Sequence, residues 1–349
     1  MKHLIVVAHG MWGKAAHLSY IVEEISRLYP SALCLNSVSN EQLLSYDGIE
    51  RCGSRLAAEV SRFVDEHAVT RVSFVGYSAG GLFVRFAVGM LYSEGFFDRV
   101  SPIHLVTIAT PHTGHPVVIN RIPWRWLRRT LGDIYGGTTM KEILMCDRDV
   151  PMLQTLSSPG TPFYEALSLF AQLSCYANAR NDRTVPYETA ALCEYNVHSA
   201  AASANEFYIA SVTYTNCPDT DKYRRDAVLA ASANASLLSR CMGILNTLLV
   251  WGVVCTLILP FHVVIVLPGA LCVRAYVALR QKSVALSRSQ AYAKAVLRAE
   301  QLAAGSGRTV AERRSMMLSN LKRLRWKRVD VSLPGIHNHG VIFPSGTDS

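Results

Sequence analysis

"RVSFVGYSAGG", Arg71 to Gly81, is the stretch from which the fold of this 349-residue chain can be worked out. It begins as an apolar run typical of a buried strand and ends in a G-x-S-x-G motif at residues 76–80. Gly76 and Gly80 allow a strand-to-helix turn that is too tight for Cβ atoms, and such a turn exposes the hydroxyl of Ser78 beyond the sheet. Ser78 is therefore a candidate nucleophile. The alternative is a glycine-rich turn without a chemical role.

Strand and helix patterns alternate along the first 195 residues. Apolar runs predict buried strands at "HLIVVAHG", "ALCLNSV", "RVSFVGY" and "SPIHLVTIATPHTG", and helical patterns lie between them. This alternation is typical of an α/β protein with a mainly parallel sheet covered by helices on both faces. Ligands of such sheets bind beyond the carboxyl ends of the strands. His9, Gly10, Ser78, the segment 110–114 and Asp182 are all expected there.

The candidate acid follows a later apolar run. "FAQLSCYA" predicts a strand, and the polar turn after it carries Asp182. A carboxylate on such a loop can hold a histidine in one tautomer and stabilise its cation. Asp133, Asp147 and Asp149 are rivals, and a turn-forming aspartate is the alternative without a catalytic role.

The candidate base comes late in the chain, because the expected order is Ser, Asp, His. "VDVSLPGIHNHGVIF" offers a short strand followed by His337 and His339. These two histidines would point to the same side of an extended chain, so periodicity leaves both open. His198 follows the acid too closely, and His262 lies in an apolar run, so both are poorer candidates.

The chain resembles the lipase-like serine esterase family of the α/β-hydrolase superfamily. The matching pieces are "HGMWG", "YDGIERCGSRLAAEV", "GYSAGGLFVR", "TIATPHTG" and "YANARNDRTVPYETA", which cover most of residues 3–192 in the expected order. The resemblance implies an α/β-hydrolase fold and action on lipids. The family usually has His and Leu beside the serine, where this chain has Tyr77 and Ala79. Neither change removes a catalytic group.

The resemblance also implies roles for individual residues. The "HGMWG" loop would supply the Met11 backbone N–H to an oxyanion hole, together with the N–H of Ala79. The alternative is a histidine and a tryptophan that only pack at the end of a strand. The family's closing histidine usually precedes small and branched apolar residues, so "HGVI" favours His339 over His337.

Charge and cysteine content exclude several other classes of function. The net charge is +9, but the segment 274–328 alone holds fourteen Lys and Arg residues against Glu300 and Glu312. The basicity is therefore local, and a nucleic-acid-binding body is not expected. Nine cysteines without a C-x-x-C pair predict reduced thiols and no zinc site. We expect no metal or organic cofactor.

Met242 to Val273 is an apolar run of 32 residues in which His262 is the only titratable group besides thiols. A membrane-spanning helix needs about 20 residues, and two would need about 40. A single crossing would separate Ser78 from His339. The breaks at Pro260 and Pro268 and the basic flanks therefore predict a hairpin that dips into the membrane and returns.

These observations divide the chain into five predicted segments: a hydrolase core (1–195), a connecting or cap segment (196–241), the membrane-dipping hairpin (242–273), a basic helical segment (274–328) and a last strand with the catalytic histidine (329–349). The basic segment would lie on anionic headgroups, and the alternative is a helical face exposed to solvent. Within it, Thr309 and Glu312 form a capping-box signature for a helix.

The predicted function is a membrane-associated lipase or esterase at a cytoplasmic face, such as the endoplasmic reticulum or a lipid droplet. "RIPWRWLRRT", Arg121 to Thr130, lies where lipase lids often insert and suits a headgroup region, and it would equally suit an acidic patch on a partner. The expected partners are a lipid substrate and a membrane surface, and the oligomeric state stays open. Alternatives are an acyltransferase or an acyl-protein thioesterase with the same nucleophile, or a non-catalytic membrane scaffold.

Overall fold

The computed structural model describes residues 2–121, 124–179, 182, 184–194, 196, 208–215 and 309–332, together with a few positions between 268 and 301. The strands in these ranges are β1 (His3–Ala8), β2 (Leu33–Asn36), β3 (Arg71–Tyr77), β4 (Ser101–Ile108), β5 (Gln172–Asn178), β6 (Tyr208–Tyr214) and β7 (Lys327–Ser332). They form one seven-stranded sheet in the order β2-β1-β3-β4-β5-β7-β6. Neighbouring strands run parallel except for β6, which is antiparallel to β7.

The helices are α1 (Ser19–Leu28), α2 (Ile49–His67), α3 (Gly80–Ser93), α4 (Pro116–Arg121), α5 (Arg125–Tyr135), α6 (Gly137–Ile143), α7 (Met152–Leu156), α8 (Pro162–Ser168), α9 (Tyr187–Ala190) and α10 (Val310–Lys322). Short 3-10 turns precede α1 and α2, at Ala15–Leu18 and Gln42–Tyr46. Gly48, with φ = 103°, separates the second of these turns from α2.

Helices cover both faces of the sheet. Leu4 and Val6 of β1 are fully buried in the main core, which includes the apolar faces of α2 and α3. Ile5 and Val7 point to the other face, where the partly buried apolar residues of α1 pack against them. This alternation confirms the predicted α/β architecture with a mainly parallel sheet.

β6 is the strand that the sequence patterns did not predict. It lies at the edge of the sheet, within the stretch expected to be a connecting or cap segment. Ile209 and Val212 are more than half exposed, so these two apolar residues do not mark a buried face in the sequence. Its register is set by β7 alone, through an antiparallel ladder from Tyr208 to Tyr214.

The chain returns to the same sheet after the long apolar run. The predicted capping box is present at α10, where Thr309 Oγ1 accepts a hydrogen bond from Glu312 N–H and Glu312 accepts one from Thr309 N–H. One face of α10 is buried on the core, and Trp326 after it is completely buried. β7 then lies parallel to β5, with Cys175 opposite Arg328.

Of the predicted hairpin, residues 242–273, only four positions lie within the described part of the chain: Pro268, Gly269, Leu271 and Cys272. The helices in the described ranges include none with the length and apolar character needed to cross a bilayer.

Several basic residues of the segment 274–328 bind the body of the protein. Arg313 donates to Gln154 Oε1 (2.8 Å), and Arg314 Nε donates to the carbonyl of Thr113 (3.3 Å). Arg328 is 1% exposed, and its Nε lies 3.6 Å from a carboxylate oxygen of Asp330. Contact of the remaining basic side chains with anionic headgroups stays a prediction.

A buried carboxyl group attaches α6 to the start of α2. Glu142 accepts a 2.6 Å hydrogen bond from Ile49 N–H, in the first turn of α2. Thr139 Oγ1 accepts a second hydrogen bond from Gly48 N–H, at 3.0 Å. Burial raises the pKa of Glu142 to about 8, and the negative charge of Asp147 adds to the rise. The carboxyl therefore carries a proton in much of the folded population near neutral pH.

We expect Glu142→Gln to change how stability depends on pH. A carboxyl whose pKa is raised by folding contributes stability below its unfolded pKa of 4.5, and this contribution is lost progressively as the pH rises to about 8. The amide of the variant keeps an acceptor for Ile49 N–H but does not titrate. In urea unfolding from about pH 5.5 to about pH 8.5, the free energy of unfolding of the variant should therefore rise relative to that of the wild type, by up to about 1.4 kcal/mol per pH unit.

The matched control is Glu165→Gln, because Glu165 also accepts a backbone hydrogen bond, from Gly160 N–H at 2.7 Å. A Glu142→Gln difference from the wild type that does not change with pH would show that this carboxyl does not titrate as described.

Candidate active site

Three candidate segments lie at the carboxyl edge of the parallel sheet. The loop 9–13 follows β1, Ser78 follows β3, and Asp182 comes after β5. β1 and β3 are hydrogen-bonded neighbours, and β3, β4 and β5 are consecutive in the sheet. Because parallel strands end at the same edge, the topology gathers these residues from distant parts of the sequence.

Ser78 occupies the turn between β3 and α3 with a left-handed backbone, φ = 53°. Residues other than glycine seldom adopt this conformation, and it persists only where the surroundings enforce it. Here Ser78 N–H donates to the carbonyl of Ile108 (2.8 Å), and the carbonyl of Ser78 accepts from the hydroxyl of Thr110 (2.9 Å). The strained turn is thus fastened to the end of β4 and the loop that follows it.

Close backbone contacts require the glycines of this turn. A Cβ atom on Gly80 would lie 2.3 Å from the carbonyl oxygen of Ala8, and one on Gly76 would lie 2.4 Å from the backbone of α3. A Cβ atom on Gly10 would lie 2.7 Å from Cβ of Ser78. The loop after β1 therefore lies directly against the nucleophile turn.

Met11 and Ala79 belong to the two segments that meet at this contact. Ala79 precedes α3, whose amino terminus carries a partial positive charge, and its nitrogen lies 3.2 Å from the position that a Cβ of Gly10 would take. Within the ranges that the structure describes, neither the Met11 N–H nor the Ala79 N–H donates a hydrogen bond. Two such N–H groups next to a serine are what an oxyanion hole requires.

His9 packs against the loop that follows β1. It is 3% exposed, and its Nδ1 lies 2.9 Å from the carbonyl of Gly10. Burial lowers the pKa of His9, which favours the neutral ring. A Cβ atom on Gly13 would lie 2.6 Å from the same ring nitrogen, so the ring is enclosed by its own loop.

Asp182 lies close to the turn that carries Ser78. It is half-buried, and its Oδ1 accepts backbone hydrogen bonds from Thr184 (2.9 Å) and Val185 (2.8 Å). Burial raises the pKa of Tyr77, and the negative charge of Asp182 raises it further. The carboxylate is therefore near enough to act electrostatically on the residue that precedes Ser78.

The three rival aspartates are engaged elsewhere. Asp133 pairs with Lys141 at 2.7 Å, and Asp149 is almost fully exposed beside Arg125. Asp147 accepts a hydrogen bond from Met152 N–H (3.0 Å), and burial raises its pKa. All three belong to the helical region between β4 and α7.

The candidate bases His339 and His337 lie outside the described residues, as do the poorer candidates His198 and His262. The described chain ends nearby in sequence, at Ser332, the last residue of β7. Because β7 is parallel to β5, it ends at the same edge of the sheet as the strand that precedes Asp182.

His112, within "TIATPHTG", is a core residue. It is fully buried, its Nε2 lies 3.0 Å from Thr107 Oγ1, and burial next to Arg85 keeps its pKa well below the usual range. Arg85 of α3 is also fully buried and donates to Ser157 Oγ at 3.0 Å. Sequence reasoning missed Arg85, and it placed Thr110 at this edge of the sheet without giving it a role. A lone arginine in the apolar run "GLFVRFAV" was the available signal for Arg85.

Residues 1–195 match the family described as "Putative serine esterase (DUF676)". "Putative lipase ROG1" of Saccharomyces cerevisiae is 32% identical over 206 residues, which cover 56% of this chain and 29% of that protein. "Putative lipase C4A8.10" of Schizosaccharomyces pombe is 27% identical over 207 residues, which cover 55% of this chain and 26% of that protein. The match thus spans less than a third of the length of these relatives.

Two solved structures are similar in part. Phospholipase PlaB from Legionella pneumophila shares 15% identity at a TM-score of 0.35, over 54% of this chain and 41% of that one. Lipase BlEst2 from Bacillus licheniformis shares 18% identity at a TM-score of 0.34, over 52% of this chain and 36% of that one. The parallel sheet with its serine turn is an α/β-hydrolase fold. Because the family match covers more than half of its length, the chain belongs to the serine esterase family DUF676.

Proposed function

We propose that this protein is a membrane-associated serine hydrolase that cleaves acyl ester bonds of lipids such as acylglycerols or phospholipids. One observation carries the proposal: Ser78 is held in a left-handed turn, and the segments that supply two N–H groups, those of Met11 and Ala79, meet against it. A protein that used this turn only for packing would not require a strained serine at its apex.

The proposed reaction is acyl transfer to serine followed by hydrolysis. His339 takes the proton of Ser78, and the serine oxygen attacks the ester carbonyl while Asp182 stabilises the imidazolium. The N–H groups of Met11 and Ala79 donate to the tetrahedral oxyanion. The imidazolium then protonates the departing alcohol, and water hydrolyses the acyl-enzyme to release the fatty acid.

The direction of β7 supports a base from the end of the chain. β7 is three strands from β3, and at about 4.8 Å per strand this is roughly 14 Å. His339 follows Ser332 by seven residues, which can span up to about 23 Å when extended. A histidine at this position is therefore within reach of Ser78 without any rearrangement of the sheet.

The surface around the start of α5 supports a lipid substrate. Trp124 and Trp126 are 60% and 67% exposed, with Arg125 and Arg129 exposed beside them. Tryptophan and arginine together suit the headgroup region of a bilayer. Arg128 differs from the other arginines because it is buried and fixes the helix, donating to a backbone carbonyl of α4 at 3.3 Å.

We expect Ser78→Ala to abolish labelling by a fluorophosphonate probe and hydrolysis of a short-chain nitrophenyl ester. Ser93→Ala is the matched control, because Ser93 lies at the other end of α3 and its hydroxyl donates to the carbonyl of Gly89. Gel fluorescence of the labelled proteins and their circular dichroism provide the measurement. Folded wild-type protein that resists the probe and does not cleave the ester would favour the membrane scaffold.

Asp182→Asn and His339→Gln should lower kcat by about 10³- to 10⁴-fold, because they remove the groups that orient and carry the proton. Asp149→Asn, at a fully exposed carboxylate, should stay close to the wild type. His337→Gln should also retain activity. If His337→Gln loses activity and His339→Gln keeps it, the base is His337. If neither histidine variant loses activity, the proposed triad is contradicted.

Replacing Trp124 and Trp126 together by serine should weaken binding to vesicles that contain anionic lipids, while hydrolysis of a soluble ester is retained. The matched control replaces Leu28 and Tyr29, which are 58% and 60% exposed at the end of α1. Vesicle sedimentation measures the bound fraction. Equal binding by both double variants and the wild type would mean that α5 does not contact the bilayer.

A further inference from the structure

Trp12, the residue after the candidate oxyanion donor Met11, has an imposed conformation. Its backbone is left-handed, φ = 58°, which is unfavourable for a bulky side chain. Trp12 N–H donates to Ser45 Oγ (3.0 Å), and the indole N–H donates to the hydroxyl of Tyr46. The two rings meet edge to face with centroids 5.2 Å apart. The turn Gln42–Tyr46 therefore holds the conformation of the oxyanion loop.

The hydroxyl of Tyr46 joins this loop to helix α5. Tyr46 is 5% exposed, and besides accepting from Trp12 it donates to the carbonyl of Tyr135 at 2.9 Å. Tyr135 is the last residue of α5, where carbonyl groups lack partners within the helix. Burial raises the pKa of Tyr46, so the hydroxyl keeps the proton that it donates.

Two glycines after α5 make the same connection through packing. A Cβ atom on Gly136 would lie 2.5 Å from Cε of Met11. Gly137 has φ = 60°, and a Cβ atom on it would lie 2.8 Å from the carbonyl oxygen of Tyr46. The junction between α5 and α6 thus packs against both Met11 and Tyr46.

The arrangement separates effects on the oxyanion loop from effects on stability. Trp12 is 52% exposed, so weakening its contact with Tyr46 disturbs little of the core. Without the Tyr46 hydroxyl, the bond from Trp12 N–H to Ser45 Oγ and the contact between the rings remain, so folding loses little, but the connection from the left-handed turn to the end of α5 is lost. Oxyanion stabilisation depends steeply on the direction of its donors, so the orientation of the Met11 N–H matters more to the rate than to the fold.

We infer that Tyr46 is a positioning residue of the oxyanion hole: its hydroxyl ties the end of α5 to Trp12 and thereby orients the N–H of Met11 towards Ser78. The inference rests on the proposed function. The same hydrogen bonds connect α5 to the proposed catalytic centre. The first turn of α5 carries exposed tryptophan.

The test compares Tyr46→Phe, Trp12→Phe and the double variant on a soluble nitrophenyl ester. Each single change removes one end of the same hydrogen bond while keeping an aromatic ring. We expect kcat to fall roughly tenfold, less than the 10²- to 10³-fold for an oxyanion donor removed outright, with KM within about twofold. The double variant should be no slower than Tyr46→Phe. The indole N–H resonance of Trp12, assigned by its loss in Trp12→Phe, should shift in Tyr46→Phe.

Tyr164→Phe is the matched control, because the Tyr164 hydroxyl also donates to a backbone carbonyl, that of Asn320 at 3.1 Å, away from the site. The inference is overturned if Tyr46→Phe turns over like Tyr164→Phe, or if the effects of the two single changes multiply in the double variant. Wild-type protein without Ser78-dependent turnover would instead overturn the proposed function and the inference with it. The Trp12 resonance reports on the hydrogen bond itself in either case.

Discussion

Around Ser78, the backbones of β1, β3 and α3 approach one another so closely that several positions have no room for a Cβ atom. Gly80 lies against the carbonyl of Ala8, and Gly10 lies against Ser78, the candidate nucleophile. These contacts force the chain into the left-handed turn and bring the two candidate oxyanion donors to the same place. They form only when the parallel register of β1 and β3 is correct, so the chemistry of the site depends on the pairing of these two central strands.

The two candidate oxyanion donors are held by different kinds of interaction. Ala79 leads into α3, which is anchored by Arg85, a buried cation that donates to a hydroxyl and to backbone carbonyls. Burial lowers the pKa of Arg85 to about 9, yet the guanidinium stays charged at neutral pH. Met11 is held instead by neutral hydrogen bonds through Trp12 and Tyr46. Such bonds can break individually without leaving a buried charge unpaired. The position of the Met11 N–H can therefore change at a lower cost in free energy than that of the Ala79 N–H.

Features with a local signature could be predicted from the sequence. The strands before Ser78 and Asp182 show as apolar runs, and the capping box of α10 spans only four residues. Features created by distant contacts could not. Tyr46 meets the carbonyl of Tyr135, 89 residues away, and Arg85 meets the carbonyl of Leu156, 71 residues away. β6 was missed for another reason, because an exposed edge strand needs no buried face.

The return of the chain at β7 is explained by burial rather than by the intervening sequence. Loop-closure entropy grows only with the logarithm of length, at about 0.6 kcal/mol for each doubling, so a long excursion between β5 and β7 costs little more than a short one. Against this cost, Met317, Leu318, Leu321 and Trp326 are all buried on the core. Each such side chain contributes about 1.5–3 kcal/mol, which exceeds the extra closure cost. The last strand can therefore dock on β5 whatever environment the residues between them occupy, and the stretch after β7 starts from the edge of the sheet where Ser78 and Asp182 lie.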